Sequence, residues 1–175
     1  WWQAPDDVLL YQFMAKDNIP FHTILFPGTL IGSRGPWTKL HHINSTEYLN
    51  YEDKKFSKSN GTGVFGDDVQ ETGIPADVWR YYLLINRPET ADTKFMWEDF
   101  QDKLNNELVA NIGNLVNRTT TFIARQCAGK VLDRPLSEHN KTFRDKIEKE
   151  AQLVTELLEE VRIKEALKRI MHISK

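Results

Sequence analysis

The nine residues "KFSKSNGTG", positions 55 to 63, set Lys55 and Lys58 around Ser57, with Ser59, Gly61 and Gly63 close behind. Nothing in the stretch suits a buried core. Lysine is a point charge on a flexible stem, suited to phosphate groups whose charge shifts during a reaction. The hydroxyls of Ser57 and Ser59, and bare amides near Gly61, can add hydrogen bonds to the same anion. A loop that glycine keeps loose can close on phosphates and reopen for release. On composition alone the residues suit an idle, solvated loop better. Next to them "GTGVFG", 61 to 66, matches G-x-G-x-x-G. That fingerprint needs an apolar strand directly before it, and "KKFSKSN" is polar, so the dinucleotide reading fails on context.

The elements that must hold this loop follow from pattern. "VLLYQFM", 8 to 14, reads as a short buried strand ending in the polar "AKDN". Pro20 suits a first helical turn, and "FHTILFPGTLIG" reads as a helix bent near Pro27 and Gly28. "EYLNYEDKKFS" has strand character on either side of a polar turn at Glu52 and Asp53, a hairpin delivering Lys55 to its exit. "DDVQETG" predicts a short helix, and "PADVWRYYLLIN" another with Pro75 at its start. From Trp97, the residues Phe100, Leu104, Leu108, Ile112, Leu115 and Phe122 recur at helical spacing to about Ala128. "GKVLDRP" reads as a turn. Ser137 opens a second long helix with Phe143, Ile147, Ala151, Val154 and Leu158 on one face, and Val161 to Ile173 continues in kind. The expectation is mixed α/β in the first half and an all-helical bundle in the second, dividing near residue 90.

Composition bounds the chemistry. The 175 residues are 40% hydrophobic and 27% charged, with a formal net charge of −2, as for an ordinary globular protein. A polyanionic partner must therefore meet a local basic patch. One cysteine, Cys127, excludes an internal disulfide and a cysteine-cluster zinc site. His41 and His42 are adjacent, and on an extended strand they point to opposite faces and cannot chelate one metal together. No apolar run approaches membrane-span length. The chain opens "WWQAPDD" and closes "RIMHISK" without a helix stop signal, so a fragment of something longer is expected.

"KFSKS" resembles the lysine-methionine-serine-lysine-serine signature of class I aminoacyl-tRNA synthetases, with Phe56 in place of methionine. "YQFMAKDNIPFH", "TEYLNYEDKKFSKS", "TGIPADVWRYYLL" and "NNELVANIGNLVNR" resemble the methionyl-tRNA synthetase family in order and spacing, most closely its eukaryotic cytosolic branch. The resemblance implies the C-terminal half of a Rossmann-type α/β catalytic domain with connecting helices over residues 1–90. It implies the start of an all-α, helix-bundle anticodon-binding domain, truncated, over 91–175. The family's histidine-isoleucine-glycine-histidine signature and its zinc-bearing insertion are expected before Trp1, so no metal ligand is assigned within these residues.

By the same resemblance the substrates are methionine, ATP with Mg²⁺, and tRNA(Met), in a cytoplasmic ligase with no membrane association. Membership of a multi-synthetase complex stays open. Lys55 and Lys58 are implied as transition-state cations in an ATP-binding loop of Lys55, Phe56, Ser57, Lys58 and Ser59, with Phe56 a packing residue. "AKDN" falls at a strand C-terminus, where open α/β sheets bind ligands. The likeness places Asp17 on the nucleotide's ribose with Lys16 close by, His22 near the amino-acid pocket, and Phe26 against the methionine side chain. Read without the family, Asp17 better suits a helix cap and Phe26 plain core. Asn114 and Arg118, four apart on one helix face, are implied to read anticodon bases, against the plainer reading of a polar helix flank. The fragment alone is expected to be inactive, and the alternative is a catalytically silent tRNA-binding module derived from such an enzyme.

Overall fold

The computed structural model describes residues 1–131 and 133–175. The chain forms two compact units: Trp1–Thr62 with Arg87–Lys94, and Gly63–Asn86 with Phe95–Lys175.

In the first unit, strand β1 (Leu10–Ala15) pairs in parallel with β2 (Leu40–Thr46). The apolar run does form a strand, but a half-covered one, with Tyr11 and Phe13 exposed. Its burial was inferred from apolarity alone, and no helix covers that face among the described residues of the unit. The polar "LHHINST" gave no strand signal, yet it supplies the parallel partner. Register slips once, between Leu10, which faces Leu40, and Tyr11, which faces His42. His41 therefore sits in the irregularity, and both imidazoles lie against the Tyr11 ring, at 5.5 and 5.3 Å, rather than on opposite faces.

Between the strands the chain turns into a helix that starts beside Pro20. Its residues Phe21–Leu25 are π-wound, and α1 (Phe26–Gly32) follows. The Phe26 amide donates to the Phe21 carbonyl, five residues back. Pro27 lacks an amide and crowds the carbonyl four residues before it, so the expected disturbance near Pro27 takes the form of a widened turn. Beyond β2, β3 (Leu49–Tyr51) joins β4 (Thr93–Phe95), with the Thr93 amide donating to the Tyr48 carbonyl at 2.9 Å. The turn at Glu52 and Asp53 is present, with Tyr51 and Lys54 exchanging two 2.8 Å backbone hydrogen bonds and Glu52 at φ 49°, but the expected second arm is not a strand: beyond it only isolated bridges occur, and β3 takes β4 as its partner instead.

The second unit is almost wholly helical. Short α2 (Gly66–Val69) precedes α3 (Ala76–Ile85), which starts after Pro75 as expected. Then α4 (Trp97–Lys103), a π-wound stretch Leu104–Gly113 and α5 (Asn114–Gln126) run on without a break. Ser137 caps α6 (Glu138–Glu159), its hydroxyl accepting from the Asn140 amide at 3.3 Å. At Val161, φ 61°, the chain reverses into α7 (Ile163–Ile173). The turn expected over 129–135 includes position 132, which lies outside the described residues.

The core of this unit is aromatic at one end. Trp79, Tyr82, Phe95, Trp97 and Phe100 form a nest with ring centroids 4.8 to 5.8 Å apart. Tyr81, Ile85 and Met171 continue it against Leu108 and Ile112, while Val154, Leu157 and Ala166 join α6 to α7. The apolar stripes are shorter than their periodicity suggested. Leu115 and Phe122 are exposed on α5, and on α6 Leu157 is buried in place of Leu158, with Phe143 exposed. Helical spacing fixes which residues share a face, and only packing fixes how far along the helix that face is covered.

Candidate nucleotide loop and base-reading groove

The lysine-serine loop is not slack. Ser57 and Thr62 exchange two backbone hydrogen bonds of 2.9 Å, closing the four residues Lys58–Gly61 into a tight turn. Gly61 takes φ 59°, the left-handed conformation that glycine adopts without steric cost, and its amide donates to the Lys58 carbonyl at 3.2 Å. The Ser57 hydroxyl accepts from the Asn60 amide and lies 3.3 Å from the Ser59 hydroxyl, so both serines brace the turn. The expectation of a loose loop is corrected here: glycine at 61 makes the turn tight. Phe56 packs against the Tyr51 ring, 5.3 Å between centroids, and anchors the loop's entry. Lys55 and Lys58 are exposed and, among the described residues, make no ion pair. The turn and its entry thus present two uncompensated ammonium groups on a shaped backbone.

In the same unit, "AKDN" leaves β1 at its C-terminal end, where Lys16–Asn18 form a short 3₁₀ turn. Asp17 does not cap the following helix, whose first residues carry no side-chain cap. Its carboxylate instead accepts from the Tyr48 hydroxyl. Lys16 bonds Glu47, stands 3.6 Å from Asp92, and lies 4.5 Å above the Tyr48 ring. The Glu47 hydrogen bond is the main reason the Lys16 ammonium is held above its usual pKa, and the bond to Asp17 raises the Tyr48 phenol likewise. Lys16 is thereby turned toward carboxylates. The Tyr48 amide donates to Asp92 at 3.0 Å, so the segment 87–94 braces the network from below. Arg87, itself buried, donates to Asn44 of β2 and fixes that segment to the sheet. Sequence reading missed Tyr48, Glu47 and Asp92. The run "STEY" beside the hairpin held two of them, but only the fold brings residues 87–94 to the strand ends.

His22 is half-buried, its Nδ1–H donating to Gln12 Oε1 at 2.9 Å. Phe26 meets Trp2 edge to face at 5.7 Å. Both lie in the first unit, on the helix that follows β1.

In the second unit, Asn114 and Arg118 line one open groove of about 700 Å³ on α5, together with Leu115, Phe122 and Lys175. Arg118 makes no ion pair among the described residues. A residue that sequence reading passed over shapes this groove: the Asn111 amide donates to the Met171 carbonyl at 2.9 Å and the Ser174 hydroxyl at 2.8 Å, tying the π-wound stretch to the end of α7. A guanidinium, an amide and an exposed phenyl ring together can pair with and stack on unpaired bases. Among the described residues no group of three metal-ligating side chains clusters, and no helix is long and apolar enough to cross a membrane.

Comparison with known proteins bears on the family of the chain. The family model described as tRNA synthetases class I (M) matches residues 1–120. The cytoplasmic methionine–tRNA ligase of Arabidopsis thaliana is 51% identical over 181 residues, covering 99% of this chain and 23% of that protein. The human cytoplasmic enzyme is 49% identical over 175 residues, 100% of this chain and 19% of its own length. A bacterial methionine–tRNA ligase, from Treponema denticola, is 61% identical over 131 residues, or 75% of this chain and 16% of that protein. The likeness to the eukaryotic cytosolic branch is thus shared with a spirochaete member. A Mycobacterium tuberculosis methionyl-tRNA synthetase solved with methionyl-adenylate superposes with TM-score 0.78 at 17% identity, over 93% of this chain and 32% of its own, which shows the shared fold. The chain spans about a fifth of the length of the curated relatives it matches. With the family model matched over two thirds of the chain and half of all positions identical across its length, this chain belongs to the methionyl-tRNA synthetases of class I.

Proposed function

We propose that these residues are part of a cytoplasmic methionine–tRNA ligase, which joins methionine to ATP as methionyl-adenylate and passes it to tRNA(Met). The observation that carries this reading is the closed Ser57–Thr62 turn, which presents Lys58 exposed and without an acidic partner, with Lys55 likewise exposed and unpaired two residues before it. Two unpaired ammonium groups, one on the turn and one at its entry, suit a triphosphate whose charge grows as the α-phosphorus is attacked, and this is electrostatic stabilisation rather than proton transfer. Mg²⁺ enters with ATP as part of the substrate, and no zinc site is assigned to these residues. Residues 1–90 form the C-terminal part of the catalytic domain and residues 91–175 the start of an anticodon-binding bundle.

Within that assignment Asp17 takes the ribose hydroxyls, supported by a carboxylate held at the end of β1. Lys16, close by, is engaged by Glu47 and Asp92. His22 and Phe26 line the methionine pocket, where an aromatic ring beside a thioether is favourable. Asn114 and Arg118 read anticodon bases from their common groove.

The test is Lys58→Ala in a full-length synthetase carrying this chain. Losing one transition-state donor lowers the rate of adenylate formation by about 10²–10³, with methionine affinity nearly unchanged. Activation at the parental rate would remove the catalytic role. Lys55→Ala behaves similarly but less severely. Alanine at Asn114 or Arg118 weakens aminoacylation of tRNA and leaves tRNA-independent adenylate formation intact, whereas equal loss in both assays means a misfolded bundle.

A further inference from the structure

The basic side chains of α7 divide into two sets. Arg169 bonds Glu150 of α6 at 3.2 Å, and Arg162, just before the helix, bonds Glu160 and Glu165. Arg169 thereby ties α7 to α6, and Arg162 is spent on the turn between them and the first turn of α7. The other set, Lys164, Lys168 and His172, recurs every fourth residue and therefore lies along one face, with Lys175 beyond the helix end. None of the four has an acidic partner among the described residues. Together with Lys103 they line a groove of about 480 Å³.

The acids nearby are already engaged. Glu107, in the same groove, accepts from the Tyr81 hydroxyl, and Asp99 accepts from Lys103 at 2.8 Å and from Tyr82 at 2.7 Å. The Glu107 carboxylate keeps its charge against a neutral phenol, and Lys164, Lys168 and Lys175 outweigh it, so the groove is net positive on a chain whose formal charge is −2. Such a local excess fits a polyanion that the rest of the surface would not attract. Lys175 also lines the groove of Asn114 and Arg118, so the two grooves adjoin at that residue.

We propose that the Lys164–Lys168–Lys175 groove is a track for the sugar-phosphate backbone of the RNA whose unpaired bases enter the Asn114–Arg118 groove. The inference rests on the base-reading role given above. It adds a sequence-independent contact surface: backbone charge is met on α7 while identity is read on α5. Phosphate contacts position an RNA and carry no sequence information, whereas base contacts specify it. The division predicts separable effects.

The experiment measures tRNA binding by a full-length synthetase carrying this chain, across a salt series, with Lys164, Lys168 and Lys175 all changed to Gln. Each lost phosphate contact lowers the slope of log K against log salt by about 0.7–0.9. The triple variant therefore shows a slope shallower by about 2, and affinity weaker on the order of tenfold to a hundredfold at physiological salt. The loss is the same for tRNA(Met) and for a tRNA with an altered anticodon. Arginine at the three positions restores the slope, because it keeps the charge. An unchanged slope, or weaker binding at constant slope that arginine does not rescue, overturns the proposal. So does tight binding of poly-glutamate lost in the triple Gln variant with tRNA binding unaffected, which assigns the groove to an acidic protein segment. Failure of the base-reading role looks different: Asn114→Ala and Arg118→Ala would keep anticodon discrimination intact, with the lysine slope effect still present.

Discussion

The two units bury their side chains in opposite ways. Among the described residues every buried apolar side chain lies in the second unit, whereas the first has only Thr38 and Arg87 buried. The first unit is a two-stranded parallel sheet with polar networks at its strand ends, and it exposes Leu9, Phe13, Phe21, Ile24, Leu25 and Ile31. Parallel sheets ordinarily have both faces covered. The second unit closes over aromatic and aliphatic clusters of its own. The difference is one of local packing: within these residues the helices supply their own core and the strands do not.

The largest effect expected from this contrast is all-or-none. The 175 residues alone, purified, should give no methionine-dependent exchange of pyrophosphate into ATP, while a full-length synthetase carrying them does. Positioning supplies much of the rate in such reactions, and a half-covered sheet with one lysine loop offers a triphosphate too few fixed partners. Measurable exchange by the isolated chain would mean that the active site is complete within the first unit. Next in size is a pair of truncations. Phe100 is 3% exposed within the aromatic nest and Phe13 is 57% exposed on β1. Phe100→Ala should cost about 3–5 kcal/mol of stability to urea unfolding followed by helix content, and Phe13→Ala no more than about 0.5 kcal/mol. Equal losses would erase the distinction between the units.

The pattern of legibility in the sequence follows the same division. The helices of the second unit were readable because their contacts are local and their apolar periodicity is strong, down to the Ser137 cap and Pro75. The extent of burial was not, since Leu115 and Phe122 keep helical spacing where nothing packs against them. Strand β2 was missed because "LHHINST" is polar and its pairing partner lies thirty residues earlier. The lysines of the loop were legible as exposed cations, their proposed role only through the family resemblance, and the tightness of the turn depends on cross-bonds between Ser57 and Thr62 that no local pattern states. Tyr48 and Asp92 could be joined to Asp17 only through the fold.

A smaller effect is expected in the second unit at the extremes of pH. Burial alone would raise the Asp99 carboxyl, but bonds from Lys103, Tyr82 and Asn86 outweigh it and leave its pKa below the ordinary 3.8. A depressed carboxylate stabilises the fold above its unfolded value, and that contribution is lost as pH falls below about 4 through the folded value. Tyr81 goes the other way: burial first, then the Glu107 carboxylate, push its phenol well above the ordinary 10.0. Its contribution is full below pH 10 and drains away as pH rises beyond it. Thermal midpoints followed by helix content should therefore fall on both sides. Lys103→Met should flatten the acid limb and Tyr81→Phe the alkaline one, and unchanged limbs in these variants would place the titrating groups elsewhere.

The smallest expected effect sharpens the contrast most, because it separates function from stability within the first unit. Tyr48 is 37% exposed, and its hydroxyl donates to Asp17 while Lys16 lies over its ring. Tyr48→Phe removes the hydroxyl and keeps the ring, the cation contact and the backbone bonds to Asp92 and Thr93. An exposed hydrogen bond of this kind contributes little to folding, so stability should move by no more than about 0.5 kcal/mol. Its role in the proposed site is to hold the Asp17 carboxylate in one orientation, and a loosened ligand to the ribose weakens nucleotide binding. In a full-length synthetase carrying this chain, the KM for ATP should rise several-fold while the KM for methionine stays put. A 2′-deoxy- or 3′-deoxy-ATP that lacks the hydroxyl facing Asp17 has nothing left to lose at that carboxylate, so one of the two should show the same KM with Tyr48→Phe as with the parent. Asp17→Asn should abolish the preference for ATP over that same analogue. If Asp17→Asn does so and Tyr48→Phe leaves the preference whole, the hydroxyl is a surface bond with no part in aiming the carboxylate.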